Sequence, residues 1–101
     1  MRILAIGDIV GKPGREYVYQ NLGRIRSKYN IDFVIANGEN SAATNGITPI
    51  IADELVNAGA DVITMGNHTF GTKSAAQALE ENPRLIRHLN YPTEFEGSGY
   101  I

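Results

Sequence analysis

Apolar and polar positions along this chain alternate between two periods. Arg2 to Gly7 is an apolar run closed by turn residues, the pattern of a strand covered on both faces. After the loop GDIVGKPG, Val18, Leu22, Ile25 and Tyr29 recur at spacings of four, three and four. That periodicity predicts a helix from about Gly14 to Lys28. Asp32 to Ala36 reads as a second strand. Thr48 before Pro49 predicts a helix start, with a hydroxyl at the cap and a proline in the first turn. Its buried stripe is Ile51, Leu55 and Ala58, and Gly59 is its terminator. Asp61 to Met65 is a third strand. Thr72 can cap a third helix that runs to about Glu81, where Asn82 and Pro83 stop it. A short helical turn from Pro83 to Arg87 is expected next, and Tyr100 and Ile101, after the turn Gly97, Ser98, Gly99, look like the opening of a fourth strand.

The pattern predicts an α/β fold with a parallel sheet of three to four strands joined by crossover helices. Its functional interest lies at the strand ends. Three apolar runs each lead into a tight turn that carries chemistry: ILAIGD ends in Asp8, FVIANGEN in Glu39 and Asn40, and VITMGNH in Asn67 and His68. In a parallel sheet the carboxyl ends of neighbouring strands share one edge, so these groups can converge on a single crevice. Oxygen donors with one imidazole suit hard or borderline divalent cations.

Composition narrows the classes without naming one. With 101 residues, 43% hydrophobic and 20% charged, the chain is an ordinary globular sequence of at most one domain. A net charge of -2 gives no long-range reason to bind nucleic acid or an anionic membrane. The cluster Arg24, Arg26, Lys28 falls at the end of the first helix, where cations favour the dipole, and reads as a solvated face. The absence of cysteine excludes disulfides, thiolate metal sites and a cysteine nucleophile. No segment approaches the roughly 20 apolar residues of a membrane span, and ILAIG follows Met1 too closely for a signal peptide. A cytoplasmic location is expected.

Each loop has a plainer reading as well. An aspartate such as Asp8 can simply open a turn. The glycines at 7, 11 and 14 match neither the dinucleotide fingerprint nor the P-loop. Glu39 beside Asn40 is costlier to explain away, because a charge and a carboxamide need a cation or several donors when buried. Asn67 and His68 follow Gly66, which permits an unusual backbone, and neither is needed as a cap. His88, between Arg87 and Leu89, reads as a surface residue.

Taken together, G-D-I-V-G at 7 to 11, N-G-E-N at 37 to 40, G-I-T-P at 46 to 49, A-D-V-I-T-M-G-N-H at 60 to 68 and N-Y-P at 90 to 92 resemble the amino-terminal half of the YmdB-like family of bacterial metallophosphoesterases, within the calcineurin-like superfamily. Val10 stands where the superfamily's first motif usually has a histidine, as in the YmdB-like branch. The resemblance implies half of a four-layer sandwich, with residues 1–101 forming a single partial domain. It implies that Asp8, Glu39 and Asn40 hold one metal ion, that Glu39 bridges to a second ion held also by Asn67, and that His68 acts as the catalytic acid toward the leaving group. Two divalent cations, iron or manganese, and hydrolysis of phosphodiesters such as 2',3'-cyclic nucleotides follow from the same likeness. The family usually continues G-N-H-x-W-D, whereas Phe70 and Gly71 occupy those last two places here, and its further metal-binding histidines belong to a carboxyl-terminal half. The isolated chain is therefore expected to be inactive and to self-associate through uncovered apolar surface. The rival readings are a non-catalytic α/β module that binds a nucleotide or a partner strand at the sheet edge, and a metal-independent phosphate site in the GDIVGKPG loop.

Overall fold

The three apolar runs read from the sequence as strands, joined by a fourth segment that was not, form four parallel strands in a computed structural model that describes residues 1–43, 46–70, 72–90 and 95–101. They are β1 (Ile3–Ile6), β2 (Phe33–Asn37), β3 (Val62–Thr64) and β4 (Leu85–Ile86), and they lie side by side in chain order. Helices α1 (Gly11–Tyr29), α2 (Pro49–Ala58) and α3 (Ala75–Glu81) make the crossovers. A sheet whose order follows the chain, with every crossover right-handed, places all its helices on one side. The pairing register agrees: Leu4 opposes Val34, Ile6 opposes Ala36, Ala36 opposes Ile63 and Ile63 opposes Leu85. These residues meet Leu22 of α1, Leu55 of α2 and Leu79 of α3 in one core.

The alternate strand positions, Ile3, Ala5, Phe33, Ile35, Val62 and Ile86, face the other way and lie outside that core. Ile3 and Ala5 are exposed, and Phe33 and Ile35 half-buried. The expectation that β1 is covered on both faces is therefore corrected: its apolar run continues through both faces, but its helices cover one.

The capping chemistry of α2 is as read. Thr48 Oγ1 accepts the Ile51 amide at 3.2 Å, Pro49 occupies the first turn, and Gly59 closes the helix at φ 128°, a conformation that would strain a side chain. Helix α1 starts three residues earlier than predicted, at Gly11. Thr72 does not cap α3. Its hydroxyl donates instead to the Ile47 carbonyl at 2.6 Å, and α3 begins after Ser74. Nor is Pro83 to Arg87 helical: the Asn82 side chain accepts the Arg84 amide at 3.0 Å, a tight turn that delivers Leu85 and Ile86 to the edge of β3 as the fourth strand. Tyr100 and Ile101 are exposed and form no strand. The hydroxyl of Ser98 turns this segment on itself, accepting the Tyr100 amide and donating to its carbonyl, while the Ser98 carbonyl takes the Arg87 amide at 2.9 Å.

Arg26 departs from the solvated-face reading. Its guanidinium is part-buried at the amino edge of the sheet, on the Gly59 carbonyl at 2.8 Å, Asp61 Oδ2 at 3.1 Å and the Asp32 carbonyl at 3.1 Å. Arg24 and Lys28 are exposed, as expected. No helix among the described residues is long and apolar enough to cross a membrane.

Candidate metal and phosphoester site

Each of the first three strands ends in a loop whose backbone is tied to its neighbour, and these ties set the side chains. The Ile9 amide donates to the Asn37 carbonyl at 3.2 Å and the Gly11 amide to the Asn40 carbonyl at 3.0 Å, joining the first loop to the second. The Gly38 amide donates to the Thr64 carbonyl at 2.9 Å, joining the second to the third. Asp8 carries φ 21°, a rare value for a residue with a side chain and one that the short polar types tolerate best.

Asp8, Glu39, Asn40, Asn67 and His68 line one open cleft of about 400 Å³ at the carboxyl edge, together with Gly7 and Asn37. All five residues proposed from the sequence are brought together. Asn40 Nδ2 donates to Asp8 Oδ1 at 2.8 Å. Glu39 Oε2 accepts the His68 amide at 3.2 Å and stands 3.4 Å from His68 Nδ1, which makes no hydrogen bond among the described residues. Gly66 makes this approach possible, because a Cβ there would land on the Glu39 carboxylate. Thr69, fully buried, caps the turn below the imidazole with its amide and hydroxyl both on the Gly66 carbonyl.

Two carboxylates, Asp8 and Glu39, line the cleft. Neither Asp8 nor Glu39 has a lysine or arginine within ion-pair distance among the described residues. The donor set is mixed: no group of three His, Cys, Asp or Glu side chains gathers closely enough to hold a metal ion among those residues. Two of the five groups are carboxamides, which contribute neutral oxygen. The set fits a hard cation that keeps several waters or takes further ligands from elsewhere.

His88 is exposed and away from the cleft lining, as expected. Phe70 packs edge-on against Phe95 with ring centroids 5.5 Å apart, which anchors the third loop from the other side. Gly71, and Tyr91 and Pro92 of the N-Y-P motif, lie outside the described residues. Asn37 was not among the sequence candidates. It lines the cleft and its side-chain oxygen accepts the Glu39 amide at 3.4 Å, and its position as the last residue of β2 was the signal that could have found it.

A family model described as YmdB-like protein matches residues 4–101. A 2',3'-cyclic-nucleotide 2'-phosphodiesterase of Bacillus subtilis is 44% identical over 99 residues, which are 98% of this chain and 38% of that protein. A putative phosphatase/phosphodiesterase of Mycoplasma pneumoniae is 37% identical over 94% of this chain and 34% of its own length. Among solved structures, a hypothetical protein from Thermus thermophilus superposes with a TM-score of 0.87 at 40% identity, covering 98% of this chain and 38% of that one. A novel phosphatase from Mycoplasma pneumoniae gives 0.85 at 37% identity, over 96% of this chain and 36% of that one. The chain thus spans under two-fifths of the length of these relatives.

Proposed function

Because this chain belongs to the YmdB-like family, matching its model over residues 4–101, we propose that its cleft is the amino-terminal share of a two-metal phosphodiesterase site. The observation that carries the reading is the convergence of Asp8, Glu39, Asn40, Asn67 and His68 on one cleft, with no lysine or arginine within ion-pair distance of its carboxylates among the described residues. Asp8, Glu39 and Asn40 would hold one divalent cation, and Glu39 and Asn67 a second, with manganese or iron suited to mixed oxygen and imidazole donors. Bound there, such ions would supply neutralisation of phosphoryl charge and a more acidic water.

The chain's own residues account for the rest. Glu39 faces Nδ1 of His68, leaving Nε2 as the nitrogen for the substrate side, where it can protonate the departing ribose oxygen. Asn67 adds a donor without negative charge, so the cleft stays attractive to an anionic diester. A 2',3'-cyclic nucleotide is the substrate class, by likeness to the Bacillus subtilis relative. Residues 1–101 then form one partial domain, and the remaining ligands come from a region of the relatives that this chain does not cover.

In this reading the 101-residue chain binds Mn²⁺ weakly and hydrolyses a cyclic nucleotide negligibly, whereas a longer polypeptide carrying the carboxyl-terminal region does both. In that polypeptide, His68→Ala should lower turnover at least a hundredfold, in line with the ~10²–10⁴ contribution of a positioned acid, with metal content unchanged. Metal loss equal to the activity loss would make His68 a ligand instead. Equal turnover by the short and long chains would overturn the assignment of missing ligands.

A further inference from the structure

Arg15 stands near the start of α1, at the helix end where a cation is least favoured, and its side chain is largely buried. Its Nη1 donates to the Ser41 carbonyl at 2.6 Å, a short charge-assisted bond. Its Nε lies 3.4 Å from Glu54 Oε2 but makes no hydrogen bond, and Glu54 is half exposed. The ion pair is therefore the weaker contact, and the well-formed bond goes to the loop. One residue earlier, the Asn40 carbonyl takes the Gly11 amide at 3.0 Å. Both carbonyls of the Asn40–Ser41 stretch are thus held by the beginning of α1, directly after the loop that carries Asp8. Ser41 is itself buried, with amide and hydroxyl on the Gly38 carbonyl at 3.1 and 2.7 Å.

We infer that Arg15 is a positioning residue that clamps the second loop to α1 and so fixes the aim of Glu39 and Asn40 toward Asp8; this rests on the metal-site reading above. The side chain of Asn40 reaches Asp8 Oδ1 at 2.8 Å from a backbone whose own carbonyl and the next are both held by α1. A bare backbone contact could drift with the helix. A guanidinium, rigid and always charged, holds a carbonyl oxygen in a defined direction.

The test titrates the 101-residue chain with Mn²⁺ by water-proton relaxation, alongside amide hydrogen exchange. Arg15→Met keeps the apolar stem and should raise the Mn²⁺ dissociation constant about tenfold, the low end for residues that orient ligands. Arg15→Lys, which keeps a charged donor for the Ser41 carbonyl, should recover most of that loss. Glu54→Gln should change nothing, and Val18→Ala, a destabilising change on the same helix, should leave Mn²⁺ affinity intact. Ala42 and Gly46, whose amides bond within this loop, should exchange faster in Arg15→Met than in Val18→Ala. Equal Mn²⁺ weakening by Arg15→Met and Val18→Ala, or unchanged exchange at Ala42 and Gly46, overturns the clamp. Wild-type chain with no Mn²⁺ binding sensitive to Glu39→Gln overturns the metal-site reading itself, and the exchange data then show separately whether Arg15 orders the loop.

Discussion

The two edges of the sheet use the same kinds of residues to opposite ends. At the amino edge, Asp61 accepts the Val34 amide at 2.8 Å and Arg26 at 3.1 Å, its carbonyl takes Arg84 at 3.0 Å, and Asp32 accepts the Arg2 amide at 2.7 Å. Asp61, Asp32, Arg26 and Arg84 each meet a neighbour there. At the carboxyl edge, Asp8 and Glu39 face an open cleft with a carboxamide and an imidazole for company. The difference lies in pairing: charges that satisfy one another hold the strands together at the amino edge, whereas those at the carboxyl edge face the cleft that we propose takes a ligand.

Substitution should separate the edges. Asp61→Ala removes the carboxylate partner of Arg26 and the acceptor of the Val34 amide, and should lower unfolding free energy by about 2 kcal/mol, below the range for fully buried pairs because this one is partly exposed. Urea denaturation checks it, and a loss of under about 0.5 kcal/mol, the range of ordinary surface changes, would show that the amino edge is not the stabilising one. Gly66→Ala forces the Glu39 carboxylate aside and should cost about 1 kcal/mol, with Mn²⁺ binding lost as well. Retained binding would mean that Glu39 does not need its place over Gly66. Asp8→Asn should shift stability by no more than about 0.5 kcal/mol, or raise it, since a residue tolerant of positive φ remains and a carboxylate without a basic partner is removed. A large destabilisation by Asp8→Asn would erase the contrast between the edges.

Much of this was legible in the sequence. The first three strands, the Thr48–Pro49 helix start and the five cleft residues follow from local periodicity and from the rule that parallel strands share a carboxyl edge. What escaped depends on distant partners. Leu85–Ile86 is too short to carry a period, and its pairing to β3 decides it. One-sided helix coverage follows from strand order, which local pattern does not encode. Arg26 was read as part of a solvated face, yet it ends on backbone carbonyls, as Arg15 and Arg87 also do. Arg87, buried, reaches the carbonyls of Glu96, His88 and Phe95. Thr72 was misread because a hydroxyl near a helix start suits a cap, while the Ile47 carbonyl competed for it.

A divalent cation is expected at the carboxyl-edge cleft and not at the amino edge. Paramagnetic broadening in a ¹⁵N-labelled 101-residue chain titrated with Mn²⁺ tests it directly, because broadening falls steeply with distance from the ion. The amide signals of Asp8, Glu39, Asn40, Asn67 and His68 should be lost early, with those of Asp32, Asp61 and Arg84 preserved. Broadening centred on Asp32 and Asp61, or spread evenly over the surface carboxylates, would contradict it.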